Sequence, residues 1–285
     1  MNHQIVPLAP GLYFVATPIG TARDITLRAL DVLASADVIA AEDTRSLRRL
    51  MEIHGVPLGG RRLLSYHDHS GGGARARLLA ALAAGQSVAY ASEAGMPLIA
   101  DPGYDLGRAA AEAGFMVTAA PGPSAALTAL VLAGLPTDAF FFAGFLPSQA
   151  AARRARAEEL REVPGTLVFY ESPKRIAACL ADLGAVLGGD REAVMCRELT
   201  KKFEEVRRGT LASLAGDLSG AAPKGEIVLL VDRARSETVS ETDIESDLLA
   251  ALETQSVRDA AEIVARAHGQ PRRRIYQMAL KLAKD

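Results

Sequence analysis

Ala16-Thr17-Pro18-Ile19-Gly20 ends a predicted strand, Leu12–Ala16, and this stretch decides the fold. An amphipathic helix capped by Thr26 follows it, and a second predicted strand, Val38–Ala41, ends in Glu42-Asp43-Thr44-Arg45. Successive strand–turn–helix steps predict an open α/β sheet, in which ligands bind just outside the carboxyl ends of the strands. We therefore expect both polar clusters to take part in binding or chemistry.

The alternation of strands and helices continues to about residue 120 and predicts a mostly parallel sheet with helices on both faces. The further predicted strands of this half are Leu63–Tyr66, Val88–Ala91 and Met116–Ala119. Its predicted helices are Leu27–Ser35, Ser46–His54, Ala74–Ala84 and Tyr104–Ala113. Several of these helices end at a glycine suited to the C′ position.

Pro121-Gly122-Pro123-Ser124 interrupts this rhythm and is the best candidate for a domain hinge, with Ser124 as the cap of a new helix. Beyond it, the predicted strands are Phe140–Ala143, Thr166–Tyr170, Ala193–Arg197, Glu204–Arg207 and Glu226–Val231. The predicted helices are Gln149–Arg161, Lys174–Leu187 and Leu211–Leu218. The short link between the third and fourth of these strands favours an antiparallel pair, and hence a mixed sheet.

A polar stretch, residues 232–243, is typical of a linker, and three short helical patterns follow it. These are Ile244–Glu253, Val257–Ala267 with Ser256 as its cap, and Arg272–Ala283 with Pro271 in its first turn. The basic last helix favours a helix-turn-helix-like module that contacts nucleic acid; the alternative is a helical appendage with a solvated basic face. The predicted division of the chain is residues 1–121, 122–235 and 240–285.

The composition is that of a globular protein: 285 residues, 49% hydrophobic and 23% charged. A net charge of −2 gives no whole-chain attraction to nucleic acid, so such contacts have to come from local patches. Cys179 and Cys196 lie in apolar contexts, which is typical of buried thiols in a reducing cytosol. The sequence has neither a signal-peptide pattern nor an apolar run of about 18 residues, so we expect a cytoplasmic protein without a membrane span.

Several reaction classes are disfavoured by missing motifs. The chain has no G-x-x-x-x-G-K-[ST] phosphate loop, no G-x-G-x-x-G fingerprint and no Gly-x-Ser-x-Gly nucleophile elbow. His67 and His69 would share a face of a strand, but no third or fourth zinc ligand stands at a suitable spacing. We therefore expect no metal, and we interpret Tyr66-His67-Asp68-His69 as a polar active-site edge or a subunit contact.

The segment Ser92–Tyr104 follows the fourth predicted strand and fits neither a helix nor a strand. Its glycines, Gly95 and Gly103, allow the backbone to approach a ligand closely, and its prolines, Pro97 and Pro102, stiffen it. This pattern predicts a ligand-binding loop, and a rigid surface loop is the alternative.

Phe169-Tyr170-Glu171-Ser172-Pro173-Lys174-Arg175 is another strand-to-helix junction. Ser172 is predicted to cap the helix and Pro173 to start it, so that free N–H groups can face an anion. Two further charged stretches, 197–202 and 223–226, lie at predicted strand ends, where a solvated surface is the alternative.

Seven motifs in order resemble one family. They are Ala-Thr-Pro-Ile-Gly (16–20), Asp-Ile-Thr-Leu-Arg-Ala-Leu (24–30), Ala-Ala-Glu-Asp-Thr-Arg (40–45), Ser-Tyr-His-Asp-His (65–69), Pro-Leu-Ile-Ala-Asp-Pro-Gly-Tyr (97–104), Pro-Gly-Pro-Ser-Ala (121–125) and Phe-Tyr-Glu-Ser-Pro-Lys-Arg (169–175). Over residues 11–231 the chain closely resembles the bacterial 16S rRNA (cytidine 2′-O) ribose methyltransferases of the tetrapyrrole methylase superfamily. Its terminal helices resemble that family's C-terminal helix-turn-helix domain.

The resemblance implies an S-adenosylmethionine-dependent enzyme with two α/β domains, the cofactor in the cleft between them and a homodimeric assembly. The implied partner is 16S rRNA, free or within the small ribosomal subunit, and the target is a cytidine of the decoding region. Methyl transfer is an in-line displacement by the ribose 2′-oxygen, so the site has to orient the 2′-OH and accept its proton.

Three sets of candidate site residues come from these motifs and strand ends. The candidates for accepting the proton, among which the sequence does not choose, are Glu42, Asp43, Asp68, Asp101 and Lys201. The candidates for holding the cofactor are Pro18, Ser92, Ala94, Gly95, Met96, Pro97, Pro121, Gly122, Ser124, Tyr170, Glu171 and Gly225. The candidates for binding RNA are Arg45, Lys174, Arg175, Arg272, Arg273 and Arg274.

The chain departs from the family pattern at three positions. Glu93 replaces the customary Asp and Met96 the customary Thr, while Ser70 stands where Asn often follows the His-acid-His motif. Glu keeps the charge and Met keeps the bulk, so we expect retained function.

A methylase of a tetrapyrrole, or of a modified histidine in an elongation factor, is opposed by the basic terminal helices. A non-catalytic RNA- or DNA-binding protein is opposed by the long α/β body.

Overall fold

Two five-stranded sheets and a group of three helices make up the part of the chain that a computed structural model describes, residues 3–67, 71–218, 223–234, 241–268 and 270–283. Contacts divide the chain into two compact units, Met1–Arg233 with both sheets and Ala234–Asp285 with the three helices. No helix within the described ranges is long and apolar enough to cross a membrane.

The sequence predicts a mostly parallel first sheet, and in the structure all of its strand pairs are parallel, with the strand order β3-β2-β4-β1-β5. Its strands are β1 (Gly11–Val15), β2 (Val38–Ala41), β3 (Leu63–Ser65), β4 (Ser87–Ala91) and β5 (Val117–Ala120). Its helices are α1 (Leu27–Ser35), α2 (Thr44–Ile53), α3 (Gly71–Ala83) and α4 (Tyr104–Glu112). Because β1 and β4 are fully buried neighbours, the segments that follow them emerge side by side at the carboxyl edge.

The second sheet is mixed, again as predicted, with the order β6-β7-β10-β8-β9 and one parallel pair, β6–β7. Its strands are β6 (Phe140–Phe145), β7 (Thr166–Glu171), β8 (Glu192–Arg197), β9 (Glu205–Thr210) and β10 (Ile227–Val231). Its helices are α5 (Ala125–Ala133), α6 (Ala150–Glu159), α7 (Ile176–Leu187) and α8 (Leu211–Asp217). The packing puts α5 on one face and α6 to α8 on the other.

The terminal unit consists of α9 (Glu241–Leu252), α10 (Val257–Ala267) and α11 (Arg272–Leu282). Ile244 of α9, Val264 of α10 and Ile275 of α11 meet in its apolar core. The predicted cap of α10 is confirmed, since the Ser256 side chain accepts a hydrogen bond from the Asp259 backbone N–H at 3.2 Å.

Four predicted helix starts differ from the structure by two residues or more. Helices α3 and α9 begin at Gly71 and Glu241, each three residues before the prediction. The α7 helix begins at Ile176 rather than at Pro173, because the backbone N–H groups of Arg175 and Ile176 both donate to the Ser172 carbonyl and close a turn. The α2 helix begins at Thr44, two residues before the prediction, because the Asp43 carboxylate caps it by accepting from the N–H groups of Arg45 and Ser46.

The predicted burial of Cys179 and Cys196 is confirmed.

A buried ion pair joins α6 to α7. The Asp182 carboxylate accepts from Arg153 Nε at 2.7 Å and from Arg154 Nε at 2.6 Å, and the Arg153 and Asp182 side chains are 6% and 8% exposed. Burial raises the pKa of Asp182, but hydrogen bonds from the two guanidinium groups outweigh that effect and hold the pKa below its usual value. Removing one partner of such a pair leaves an uncompensated buried charge.

We expect Asp182→Ala to lower the free energy of unfolding by about 3 kcal/mol, because it leaves Arg153 buried without its carboxylate. The matched control is Glu159→Ala, which removes the carboxylate of an exposed α6 pair with Arg156 and should cost about 1 kcal/mol or less. Urea unfolding measures both values. Equal losses in the free energy of unfolding would show that the buried ion pair contributes no more to stability than the exposed one.

Candidate functional site

A cavity of about 330 Å³ lies in the first unit, between loops at the carboxyl edge of the first sheet and the end of the second sheet. Its lining is mostly apolar, with three carboxylates among it. The lining residues are Ile19, Ala94, Gly95, Met96, Ile99, Asp101, Ser124, Ala125, Phe145, Tyr170, Glu171, Ser172, Pro173, Leu199, Gly225, Glu226, Ile227 and Val228. We call this space the main cavity.

The loops after β1 and β4 hold each other by backbone hydrogen bonds. The Gly95 N–H donates to the Thr17 carbonyl at 2.9 Å, and the Thr17 N–H donates to the Gly95 carbonyl at 3.0 Å. The Ser92 hydroxyl adds a third bond to the Gly95 carbonyl at 2.7 Å. Gly95 adopts a φ of +81°, which a residue with a side chain rarely adopts, so a glycine suits this turn.

Strained backbone accompanies this pairing. Leu98 and Ala100, both in the β4–α4 loop, have φ values of +71° and +61°. Residues in this region of φ cost of order 1–3 kcal/mol each and persist only where the surrounding structure holds them. The β4–α4 loop is therefore fixed in shape by its contacts rather than by local preference.

The loop after β1 also joins the second sheet. The Thr21 N–H donates to the Thr200 hydroxyl at 3.1 Å, and the Thr21 hydroxyl donates to the Thr200 carbonyl. Gly20 makes this approach possible, since a Cβ there would lie 2.5 Å from Thr200 Oγ1. The contact places Ile19 and Leu199 on the wall of the main cavity.

Asp101 is the proton-acceptor candidate that lines the main cavity. Burial raises its pKa to about 7, and the negative charges of Glu42 and Glu93 contribute to that rise. Glu42 Oε2 accepts a hydrogen bond from the Glu93 N–H at 3.3 Å, which keeps these acids at the same sheet edge. A carboxylate with such a pKa changes its protonation state near neutral pH and suits general acid–base work.

Three other candidates have different surroundings. Lys201 Nζ donates to Glu198 Oε1 at 2.9 Å and to Glu226 Oε2 at 2.7 Å. Burial lowers its pKa, but these two bonds outweigh that effect and raise it, so the amine stays protonated at neutral pH. Asp43 caps α2, and its hydrogen bond with the Arg45 side chain lowers its pKa. Asp68, like His69, lies outside the described residues.

Seven of the twelve cofactor candidates line the main cavity, namely Ala94, Gly95, Met96, Ser124, Tyr170, Glu171 and Gly225. Pro18 and Ser92 line a neighbouring cavity instead, whereas Pro97, Pro121 and Gly122 line neither. Gly122 serves packing, because a Cβ there would lie 2.8 Å from the Ala16 Cβ. The apolar wall residues Phe145 and Val228 were missed, since their sequence pattern is that of ordinary core.

The neighbouring cavity, of about 620 Å³, is the more open one and has arginines in its lining. It is lined by Thr17, Pro18, Gly20, Ala22, Asp43, Arg45, Ser46, Leu47, Arg49, Leu50, Ile53, Ser92 and Glu93. The paired loops after β1 and β4 contribute to both cavities. The same two loops would therefore separate a molecule bound in one cavity from a molecule bound in the other.

The RNA candidates differ in how they are held. The Arg45 side chain is 92% exposed, and Lys174 is exposed. Arg175 is engaged within the protein, because its Nη2 donates to the Leu146 carbonyl at 2.6 Å and lies 3.2 Å from Glu171 Oε2. In the terminal unit, Arg272, Arg273 and Arg274 are all exposed at the start of α11.

Comparison with known proteins decides the family. The family "Tetrapyrrole (Corrin/Porphyrin) Methylases" matches residues 11–215, and "RsmI C-terminal HTH domain" matches residues 238–283. A protein of Mesorhizobium japonicum named "Ribosomal RNA small subunit methyltransferase I" is 48% identical over 277 residues, which are 97% of this chain and 93% of that protein. The chain belongs to this methyltransferase family.

A second relative agrees with this assignment, and solved structures share the fold. The methyltransferase I of Escherichia coli O157:H7 is 41% identical, over 98% of both chains. The crystal structure of the methyltransferase CobJ, 19% identical, has a TM-score of 0.60 over 79% of this chain and 94% of its own. A Thermus thermophilus uroporphyrin-III C-methyltransferase, solved with S-adenosylhomocysteine, is 19% identical with a TM-score of 0.53 over 77% and 96%. These structures share the fold of the methyltransferase body.

We expect Gly95→Val to weaken S-adenosylhomocysteine binding by about 10-fold or more, measured by calorimetry. The new side chain starts 3.4 Å from Ile19 Cγ2 and projects from a residue that lines the main cavity. The matched control is Gly114→Val, which carries the same backbone strain at a φ of +77° but has nothing within 4 Å of its Cβ. Equal affinities in the two variants would remove the Gly95 loop from the ligand site.

Proposed function

We propose that the protein transfers a methyl group from S-adenosylmethionine to the ribose 2′-oxygen of a cytidine in the decoding region of 16S rRNA. One observation carries the proposal: Asp101, a carboxyl group whose pKa is about 7, lines a mostly apolar cavity at the strand ends of a ribosomal RNA methyltransferase body. The seven motifs that resemble the cytidine 2′-O methyltransferases support the choice of ribose over base.

The main cavity fits S-adenosylmethionine by its chemistry. Apolar side chains such as Ile19, Met96 and Val228 suit the adenosyl group, and Gly95 leaves room for it beside the backbone. The lining carboxylates Asp101, Glu171 and Glu226 suit a ligand that carries positive charge. When bound, the cofactor supplies a sulfonium methyl group, which is a good electrophile.

Asp101 is proposed to accept the proton of the ribose 2′-OH. Alcohols are poor nucleophiles at neutral pH, so a positioned base contributes to the rate. Burial, with a further contribution from the charges of Glu42 and Glu93, keeps the Asp101 pKa high enough for the ionised form to be a useful base. Arg45 and Arg49, in the neighbouring cavity, are proposed to contact RNA phosphates next to the target nucleotide.

The direct test incubates the purified protein and methyl-labelled S-adenosylmethionine with either free 16S rRNA or small ribosomal subunits, both from bacteria that lack this modification. Nuclease digestion followed by mass spectrometry identifies the methylated nucleoside. The expected product is 2′-O-methylcytidine at one position. Label on a base, or no incorporation into either free 16S rRNA or subunits, would contradict the proposal.

We expect Asp101→Asn to lower kcat by about 10²- to 10⁴-fold, because the amide cannot accept the proton. In the wild type the rate should fall as the pH drops through about 7, where the Asp101 carboxylate becomes protonated. Asp43→Asn should keep this acidic limb of the pH profile, since Asp43 caps a helix outside the main cavity. A limb that persists in Asp101→Asn would assign the proton to another group.

The same substitution has a second readout in stability. The Asp101 pKa is about 7 in the folded protein against 3.8 for a free carboxyl, so the folded state holds the proton over that interval. The wild type therefore loses stability, relative to Asp101→Asn, as the pH rises from about 4 to about 7. Thermal unfolding at pH 5 and pH 8 measures this difference.

The remaining parts of the proposal concern organisation. The body is proposed to work as two domains, 1–121 and 122–235, which meet at Pro121–Ser124, and the module 240–285 to contact RNA. A homodimer is proposed as the working form; Leu127 and Val131 support it, since they lie one turn apart on α5 and are 52% and 81% exposed. The proposed location is the cytoplasm, where its ribosomal substrate is found.

Deleting residues 240–285 should preserve S-adenosylhomocysteine affinity, because every residue that lines the main cavity lies in the first unit. The deletion should reduce RNA affinity and give a shallower salt dependence, because fewer counterions are released. Calorimetry and RNA titrations at several salt concentrations measure the two effects. Loss of cofactor binding on truncation would contradict the domain division.

A further inference from the structure

Helix α11 has a face that its own unit leaves uncovered. Ile275 and Ala279 are fully buried in the core shared with α9 and α10, so the opposite side of the helix points away from that core. The exposed residues on this side are Arg273, Tyr276, Gln277, Leu280 and Lys281. They recur at intervals of three and four positions and form one continuous surface, the α11 stripe.

The α11 stripe combines apolar area with positive charge. Tyr276 and Leu280 lie one turn apart, and each is 39% exposed. Arg273 and Lys281 stand at the two ends of the stripe, and α11 contains no Asp or Glu. The surface is therefore complementary to an anionic partner that also has a flat apolar group to place against the tyrosine ring.

The three consecutive arginines of α11 differ in their surroundings. Arg272 Nη2 lies 3.1 Å from Glu262 Oε2 on α10, and Arg274 Nη1 donates to Gln270 Oε1 at 3.1 Å. The Arg273 side chain, by contrast, has no hydrogen-bond or ion-pair partner among the described residues. Arg273, which belongs to the α11 stripe, therefore differs from Arg272 and Arg274, whose side chains contact residues of their own unit.

We propose that the α11 stripe binds a single-stranded segment of RNA, with a base stacked on Tyr276 and phosphates paired with Arg273 and Lys281. This inference rests on the proposed function, which supplies an RNA partner. An unpaired strand is favoured over a duplex for two reasons. Base faces are covered in a duplex, and the major groove of A-form RNA is too narrow for side chains to read. Stacking on an exposed aromatic ring beside cations is the usual mode of single-strand binding.

The test uses the full-length protein, a single-stranded RNA oligonucleotide and the duplex formed with its complement, titrated by fluorescence anisotropy at several salt concentrations. Tyr276→Ala should weaken single-strand binding by about 5- to 100-fold and affect the duplex less, whereas Tyr276→Phe should keep the affinity. Arg273→Gln should reduce the salt slope by about one. The matched control is Arg266→Gln, which removes an exposed charge from α10 and should leave the slope unchanged.

Five outcomes would overturn the inference. Unchanged binding by Tyr276→Ala, or equal loss on the single strand and the duplex, would exclude stacking. If Arg266→Gln reduced the salt slope as much as Arg273→Gln, the binding would be a diffuse electrostatic attraction rather than a contact of the α11 stripe. Normal RNA binding by all variants, with activity lost on assembled subunits, would assign the stripe to a protein partner. If the wild type binds S-adenosylhomocysteine but neither RNA, the proposed function fails as well, which distinguishes that case from failure of the stripe alone.

Discussion

The reciprocal backbone hydrogen bonds between Thr17 and Gly95 are the constraint on which the candidate site depends. They join the loops after the two central strands of the first sheet, and those loops form walls of both cavities. These bonds join backbone atoms, so the pairing itself uses no side chain of the residues around Gly95. Two departures from the family pattern lie in this loop: the Glu93 charge contributes to the raised pKa of Asp101, and Met96 lines the main cavity.

A second contact of the same loop brings the two sheets into one site. Thr21 and Thr200 bond to each other across a separation of 179 residues, and Gly20 allows the close approach. One short segment thus pairs with Gly95 on one side and with Thr200 on the other. A shift of the segment would change the width of the main cavity, the shape of its neighbour and the surroundings of Asp101 together.

The sheet and helix pattern was predictable because it is repeated. Buried strands such as β1 and β4 are continuous apolar runs, and two of the helices between them, α2 and α3, are followed by Gly55 and Gly85, which mark their limits. The start of α7 was not predictable, because Ser172-Pro173 suits a tight turn as well as a helix N-terminus. The sequence alone does not say which carbonyl the following N–H groups will meet.

The site was predictable only where polar or special-backbone residues form it. Gly95 and Asp101 stand out in a loop of small residues, whereas Phe145 and Val228 look like core and yet line the main cavity. The raised pKa of Asp101 also could not be predicted from the sequence, because it arises from burial and from two acids on separate chain segments. Proximity across the fold, rather than any local pattern, separates Asp101 from Asp43 and Lys201.

The register of the first sheet has a consequence for synthesis. β1 pairs with β4 and β5, Leu12 lying opposite Val88 and Val117. The first strand to be made therefore has no partner until β4 (Ser87–Ala91) exists, and its second partner, β5 (Val117–Ala120), follows later still. Non-local pairing of this kind is slow, because loop closure has to precede the contacts that reward it. The first sheet can therefore close only after β5, which ends at Ala120 of the 285 residues, has been made; β2 and β3 precede β4, which takes the place between β2 and β1.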